Sequence, residues 1–391
     1  MKKYFASRTD WNLTSNPLTQ FLKERQATGI PILDLTASNP TRCSFNYPIQ
    51  EISKALTQSQ SFIYEPHPKG HVEARNAIAA YYEEMGIQLN PEHIFLTAST
   101  SEAYSFIFRL ITNPGDSILV PQPGYPLFDF LCTLNDIELT PYPLIYEKNW
   151  HIDFETLSKS IQPRTKAILL VHPNNPTGSY IRTAEKHAFV SLAKENKLSL
   201  ISDEVFFDYP LKHESKKFHS FAGSSEVMTF TLNGLSKMAA LPQMKLAWIV
   251  VTGPKEISQK AVSRLEIITD TFLSVNTPTQ VALSEILKNR KFIQNQILKR
   301  LHENEKFLRN LIKNFPACEY LESEGGWYVI LKMPKTKTDE EWALELLKKQ
   351  GVLVHPGHFY NFDDEGHLVI SLLPSPEIFV EGMNKILAHI T

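Results

Sequence analysis

The chain has 391 residues, 42% of them hydrophobic and 21% charged, with a formal net charge of −2. That length suits one large core, or a large domain with a smaller one, and the composition is that of an ordinary globular protein. So balanced a charge gives no electrostatic basis for holding nucleic acid or an anionic membrane surface.

The N-terminal MKKYFASRTDW has two early lysines but no apolar run behind them, so no ordinary secretory signal is expected. No apolar stretch is long enough to span a bilayer. Cys43, Cys132 and Cys318 are scattered, without CxxC spacing, and read as reduced thiols in a cytoplasmic protein. There is no HExxH arrangement. His355 and His358 flank a Pro-Gly turn and read as loop residues, so no metal site is expected.

Asn16-Pro17 is a helix start, with Asn as cap and Pro in the first turn, and Gly29 can end that helix. A short apolar piece, Ile32 to Leu35, leads into the turn-rich SNPTR at 38–42. After Gly70, VEARNAIAAYYEEMG predicts a helix with Val72, Ala79 and Tyr82 on one face. IFLT at 94–97 is a buried strand. Ala98 to Glu102 follow, and then Ala103, Phe106, Ile107, Leu110 and Ile111 at helical spacing. A strand, a small-residue turn and a helix start leave backbone N–H groups free for an anion, although such a turn is also an ordinary connection with capping hydroxyls. Pro114-Gly115-Asp116 is a turn, SILV a strand, and AILLVH at 167–172 a continuous apolar run, as in a strand covered on both faces. Thr183 to Asn196 predicts an amphipathic helix, and LSLIS, MTFTL and LAWIVV continue the alternation of strands with helices.

That alternation predicts an α/β fold: a mostly parallel central sheet with helices on both faces. Asn175, Asp203 and Lys237 each follow a predicted strand closely, which puts them at the strands' carboxyl ends, where such sheets carry their sites. Beyond Val275 the texture changes. A long helical stretch, Gln280 to Asn314, has room for one break. A strand pair follows around Gly325-Gly326-Trp327-Tyr328-Val329. Thr338 to Glu341 is a capping box whose helix stops at Gly351. VLVHPG, HLVISLL and a helix from Pro376 close the chain. The division expected is a large domain at 46–274 and a smaller α+β domain from 1–45 and 275–391.

Five stretches carry the chemistry: Tyr64 with Gly70, VPQPGY at 120–125, PNNPTG at 173–178, SDEVF at 202–206, and Ser236-Lys237 with Lys245 eight positions on. Taken singly, Tyr64 is equally a loop aromatic and Tyr125 a core residue. In order and spacing, from about Leu33 to Ser371, they resemble the fold type I pyridoxal-phosphate (PLP) enzymes, specifically the class I/II aminotransferase family. The resemblance implies PLP as cofactor, bound through a Lys237 Schiff base, with Lys237 later shuttling the substrate proton. Asp203 would face the pyridine nitrogen, Asn175 the ring hydroxyl oxygen, and Tyr125 the ring face. Ser99, Thr100, Ser236 and Lys245 would hold the phosphate. Tyr64 would reach the neighbour's phosphate, which implies a homodimer with shared sites. Amino acid and 2-oxo acid substrates are implied, with Asn39 and Arg42 as candidates in the loop that closes over them. A solvated loop residue is the other reading of Arg42.

Several positions depart from that pattern. Ser38-Asn39-Pro40 stands where Gly-x-Pro is usual, and the usual glycine near Ser99 is missing. Phe206 replaces a tyrosine and has no hydroxyl. Lys245 replaces an arginine and loses its fork. Val369 stands where an arginine normally grips the substrate carboxylate. The leading expectation is an aminotransferase. A PLP-dependent C–S β-lyase shares the same early chemistry, and a low-turnover PLP-binding sensor is a third reading.

Overall fold

A computed structural model describes residues 4–212 and 219–390. Its strands, in chain order, are β1 (Leu33–Asp34), β2 (Ile94–Thr97), β3 (Ser117–Gln122), β4 (Glu138–Glu147), β5 (Asn149–Ile152), β6 (Thr165–Val171), β7 (Ser199–Asp203), β8 (Thr229–Gly234), β9 (Ala247–Thr252), β10 (Glu319–Leu321), β11 (Tyr328–Lys332), β12 (Val352–Leu353), β13 (His355–Pro356) and β14 (His367–Ser371). One sheet has eight strands in the order β2-β9-β8-β7-β6-β3-β4-β5. Its central pairings are parallel, while β9 and the edge strand β5 run against the rest. The mostly parallel α/β sheet expected from the sequence is present.

Successive side chains of a strand point to opposite faces, and β6 divides its apolar run accordingly. Ala167, Leu169 and Val171 join Ile118, Val120, Phe230 and Leu232 under helices Thr100–Ile111 and Lys255–Phe272. Ile168 and Leu170 join Leu119 and Leu200 under helix Thr183–Asn196, against Phe189 and Ala193. A fully buried side chain of this size stabilises by roughly 1.5–3 kcal/mol. The helix Val72–Glu83 buries Ala74, Ile78, Tyr81 and Tyr82, while Val72 is exposed. Of the face expected, Tyr82 is buried and Ala79 half-buried, and only Val72 at the helix start points outward.

A second sheet, β10-β11-β14-β13, is antiparallel, and β1 pairs with β12 in parallel. Both pack in one core with Leu353, Ile386 and Leu387. The long helix is continuous from Thr277 to Ile312, with Asn276 as cap and Pro278 in the first turn. It contains no break, since no glycine or proline lies beyond Pro278 to interrupt it. Its first half packs Ala282, Leu283, Ile286 and Leu287 beside the large sheet. Its second half packs Ile293, Ile297, Leu301 and Leu308 against the small one. One rigid rod thus joins the two cores.

Candidate active site

The loops that carry chemistry gather along one edge of the large sheet. Parallel β6, β7 and β8 end there, followed by PNNPTG, by the residues after Asp203, and by the short helix Leu235–Met238 with Ser236 and Lys237. β9 runs the other way, so the residues before Ala247 reach the same edge and bring Lys245 with them. β2 delivers Ser99 and Thr100 at the start of helix Thr100–Ile111. Local packing holds the turns. The Asn174 amide donates to the Pro123 carbonyl at 3.1 Å, tying the turn of Asn175 to that of Tyr125. Gly178 has φ +69°, and a Cβ there would lie 1.9 Å from Ser323 Oγ, so only glycine closes this turn.

These residues surround a cavity of about 300 Å³, lined by Ser99, Thr100, Tyr125, Asn175, Asp203, Ser236, Lys237 and Lys245 among others. Lys237 is drawn down to about 8, first by burial, against the opposing pull of Asp203. Its Nζ lies 4.9 Å from the centre of the Trp327 ring and 5.5 Å from that of Phe206. The hydroxyl of Tyr209 donates to the Lys237 carbonyl at 2.6 Å and fixes the backbone there. Asp203 is buried at the end of β7, and burial raises its pKa. Tyr104 Oη donates to Oδ2 at 2.7 Å and Val205 N–H to Oδ1 at 3.1 Å, and both favour the ionised form. Asn175 Oδ1 is buried without a hydrogen-bond partner among the described residues. A polar atom so placed calls for one.

The other end of the cavity is built for an anion. Ser99 Oγ caps the helix by accepting from Glu102 N–H at 3.1 Å. The Glu102 carboxylate takes the Ala98 amide at 2.7 Å. The amides of Thr100 and Ser101 are left at the positive end of a 12-residue helix, with the Ser236 hydroxyl and the Lys245 ammonium lining the same end.

Other predicted residues lie elsewhere. Asn39 accepts from the backbone and hydroxyl of Thr41, capping the turn Pro40–Arg42. Asn39 and the exposed Arg42 line a neighbouring cleft that shares only Ser38 with the cavity. Tyr64 is 75% exposed, beside a separate hollow with Gly70 and Leu96. Val369 is fully buried in the middle of β14, opposite Ile330 and His355. The sequence did not single out Tyr104, Ser101 or Tyr328, and named Ser38 only as a departure from Gly-x-Pro. Tyr104 follows Thr100 by one helical turn, which was the available signal. Tyr328 lies in the cavity wall and bonds the Ser38 side chain, a contact no local pattern encodes.

The family model for aminotransferase class I and II matches residues 30–378. Glutamate-pyruvate aminotransferase AlaA of Haemophilus influenzae is 28% identical over 368 residues, covering 92% of this chain and 90% of that one. The alanine aminotransferase of Mycobacterium bovis is 27% identical over 369 residues, covering 92% of this chain and 85% of its own. Among solved structures, an aminotransferase from Escherichia coli superposes with a TM-score of 0.89 at 25% identity, covering 100% of this chain and 98% of that chain. The alanine aminotransferase of Pyrococcus furiosus has the same fold, with a TM-score of 0.90 at 24% identity and 99% of each chain covered. The match runs through every loop of the cavity, and the chain belongs to the class I and II aminotransferases.

Proposed function

We propose that this aminotransferase holds PLP in the cavity around Lys237 and moves an amino group between an amino acid and a 2-oxo acid. The observation that carries this reading is the grouping of three unlike polar groups in one enclosed space. They are a desolvated lysine amine, a buried carboxylate, and the Asn175 side-chain amide. That set fits the cofactor. Asp203 is an anion for a ring nitrogen that carries a proton, and Asn175 is a donor for a ring oxygen. Tyr125 offers a flat face. Ser99, Thr100, Ser236 and Lys245 suit a phosphate.

When bound, PLP supplies an electron sink for the carbon that loses its proton. The chain's own part is to hold that proton. An amine titrating near 8 is partly neutral at physiological pH, so Lys237 can take a proton and return it. Burial raises the pKa of Asp203, while the hydrogen bonds from Tyr104 and the Val205 amide favour its ionised form. Asn39 and Arg42 are assigned to the substrate, and Tyr64 to the phosphate of a second copy, so the working unit is a homodimer. The three cysteines are free and buried, in keeping with a cytoplasmic enzyme. Residues 46–274 are taken as the large domain, with 1–45 and 275–391 as the smaller.

The purified protein should be yellow, and borohydride should fix the cofactor on Lys237, as read by peptide mapping. A Lys237→Ala protein that still carries cofactor fixed to another lysine would refute the assignment. Amino-acid donors should convert the cofactor only once per site until an oxo acid is added. Continuous release of ammonia without an acceptor would mean elimination instead.

A further inference from the structure

Lys237 Nζ makes no hydrogen bond with any described residue. The groups close to it are aromatic faces and the field of Asp203. The rings of Trp327 and Phe206 meet edge to face, 5.3 Å apart at 74°, so they form two walls of a corner. Both centroids lie within the roughly 6 Å at which an ammonium is drawn to an aromatic face. Trp327 does not line the cavity; it is fully buried behind the lysine.

Several contacts hold the indole in place. The Tyr209 ring meets it edge-on at 5.2 Å, and the same tyrosine's hydroxyl bonds the Lys237 carbonyl. Gly326 N–H donates to the Tyr209 carbonyl at 2.9 Å, Leu211 N–H to Glu324 O at 2.8 Å, and Leu372 N–H to the Trp327 carbonyl at 2.8 Å. The indole is thus pinned from the small sheet on one side and from the chain after β7 on the other.

We propose that Trp327, with Phe206, is the seat that receives the Lys237 amine whenever it is not joined to the cofactor, and that Trp327 is a positioning residue for proton transfer. The proposal rests on the assignment of Lys237 given above. If Lys237 holds the cofactor as proposed, its amine would be set free when a substrate amine takes its place, and it would have to stay close by in order to return. An amine released into a dry pocket needs something that tolerates its charge without binding it firmly. An aromatic face meets that need: it attracts the ammonium and leaves the neutral amine free. The other titratable groups lining the cavity are Asp203 on β7, Lys245 before β9, Tyr125 after β3 and Tyr328 on β11.

The test uses full-length protein stripped of cofactor, so its reading does not depend on turnover. The amine of Lys237 is titrated by its rate of acetylation across pH, followed by mass spectrometry. If the indole face holds the cation, Trp327→Leu lowers the apparent pKa by about 0.4–1.5, since a cation–π contact is worth roughly 0.5–2 kcal/mol. Trp327→Phe falls in between. A residue that merely excluded water would behave oppositely, because opening the wall would hydrate the ammonium and raise the pKa. No change or a rise overturns the proposal. If Trp327→Leu does not fold, Trp327→Phe decides alone by the same signs. Failure of cofactor mapping at Lys237 would instead strike the proposed function and leave this titration readable.

Discussion

Lys237 and Lys245 are the cations lining the cavity among the described residues, and the cofactor reading assigns both. A free amino acid brings a carboxylate into that space, and an unpaired anion in a dry cleft is costly. Val369 lies in the core and cannot help. Arg42 stands across Ser38 in the adjoining cleft, and its guanidinium fork suits a carboxylate. If it grips the substrate, Arg42→Ala should lower kcat/KM for amino acids by roughly 10- to 150-fold, the value of a lost charge-assisted bond. Cofactor absorbance and rates with amines lacking a carboxylate should not change. Equal rates with the best amino-acid donor would remove Arg42 from the site and point to a substrate with no carboxylate beside its amine. The sequence reveals the residues that line the cavity at strand ends because each sits in its own short motif. It conceals Tyr104, Tyr328 and Trp327 because their roles are contacts across the fold. Tyr328 is far along the chain from Ser38, and the hydroxyl of Tyr104 meets a carboxylate on another strand.

At the scale of elements, the junction after β7 depends on one buried acid. Glu204 accepts from Ser202 Oγ at 3.0 Å and from Phe221 N–H at 2.7 Å, joining the strand end to the turn Phe221–Gly223. Burial pushes its pKa up to about 7, against the lowering effect of those donors. A carboxyl with a raised folded pKa binds more protons folded than unfolded between its ordinary value and about 7. Its contribution is therefore present in acid and is lost as pH rises through that window, up to on the order of 3 kcal/mol. Glu204→Gln removes the titration. Its melting temperature should gain on that of the parent between pH 5 and 7.5, and parallel curves would show that Glu204 is already ionised throughout. Six of the eight large-sheet strands, all but β4 and β5, and most helices were legible because caps or apolar runs mark them, as Asn16, Thr338 and β6 do. The helices Ile49–Leu56 and Lys255–Phe272 follow Pro48 and Pro254 with no side-chain cap, so no start signal marks them. The strand β4 carries Pro141 and Pro143, which read as breakers, yet it continues through both alongside β3.

For the whole molecule the open surface is the informative part. Phe62, Ile63 and Tyr64 are consecutive and 81%, 53% and 75% exposed. Isolated apolar residues at a surface are ordinary, but three in succession expose a patch that association would cover. Tyr64 lies beside Gly70, and Leu96 of β2 borders the same hollow, on the strand that leads to the phosphate end of the cavity. A second copy packed there would bring its own Tyr64 toward the cavity end where Ser236 and Lys245 are proposed to take the phosphate. Each site would then need both chains. Tyr64→Phe should leave the dimer intact in sedimentation, since only a hydroxyl is lost. The cofactor dissociation constant should rise roughly 10- to 150-fold, because the missing bond is one to a charged group worth about 1.5–3 kcal/mol. Dilution of the unaltered protein should release cofactor and activity together, at the concentration where the dimer separates. A monomer that keeps full activity and full cofactor at assay concentration would show that one chain builds the whole site and that Tyr64 serves some other contact.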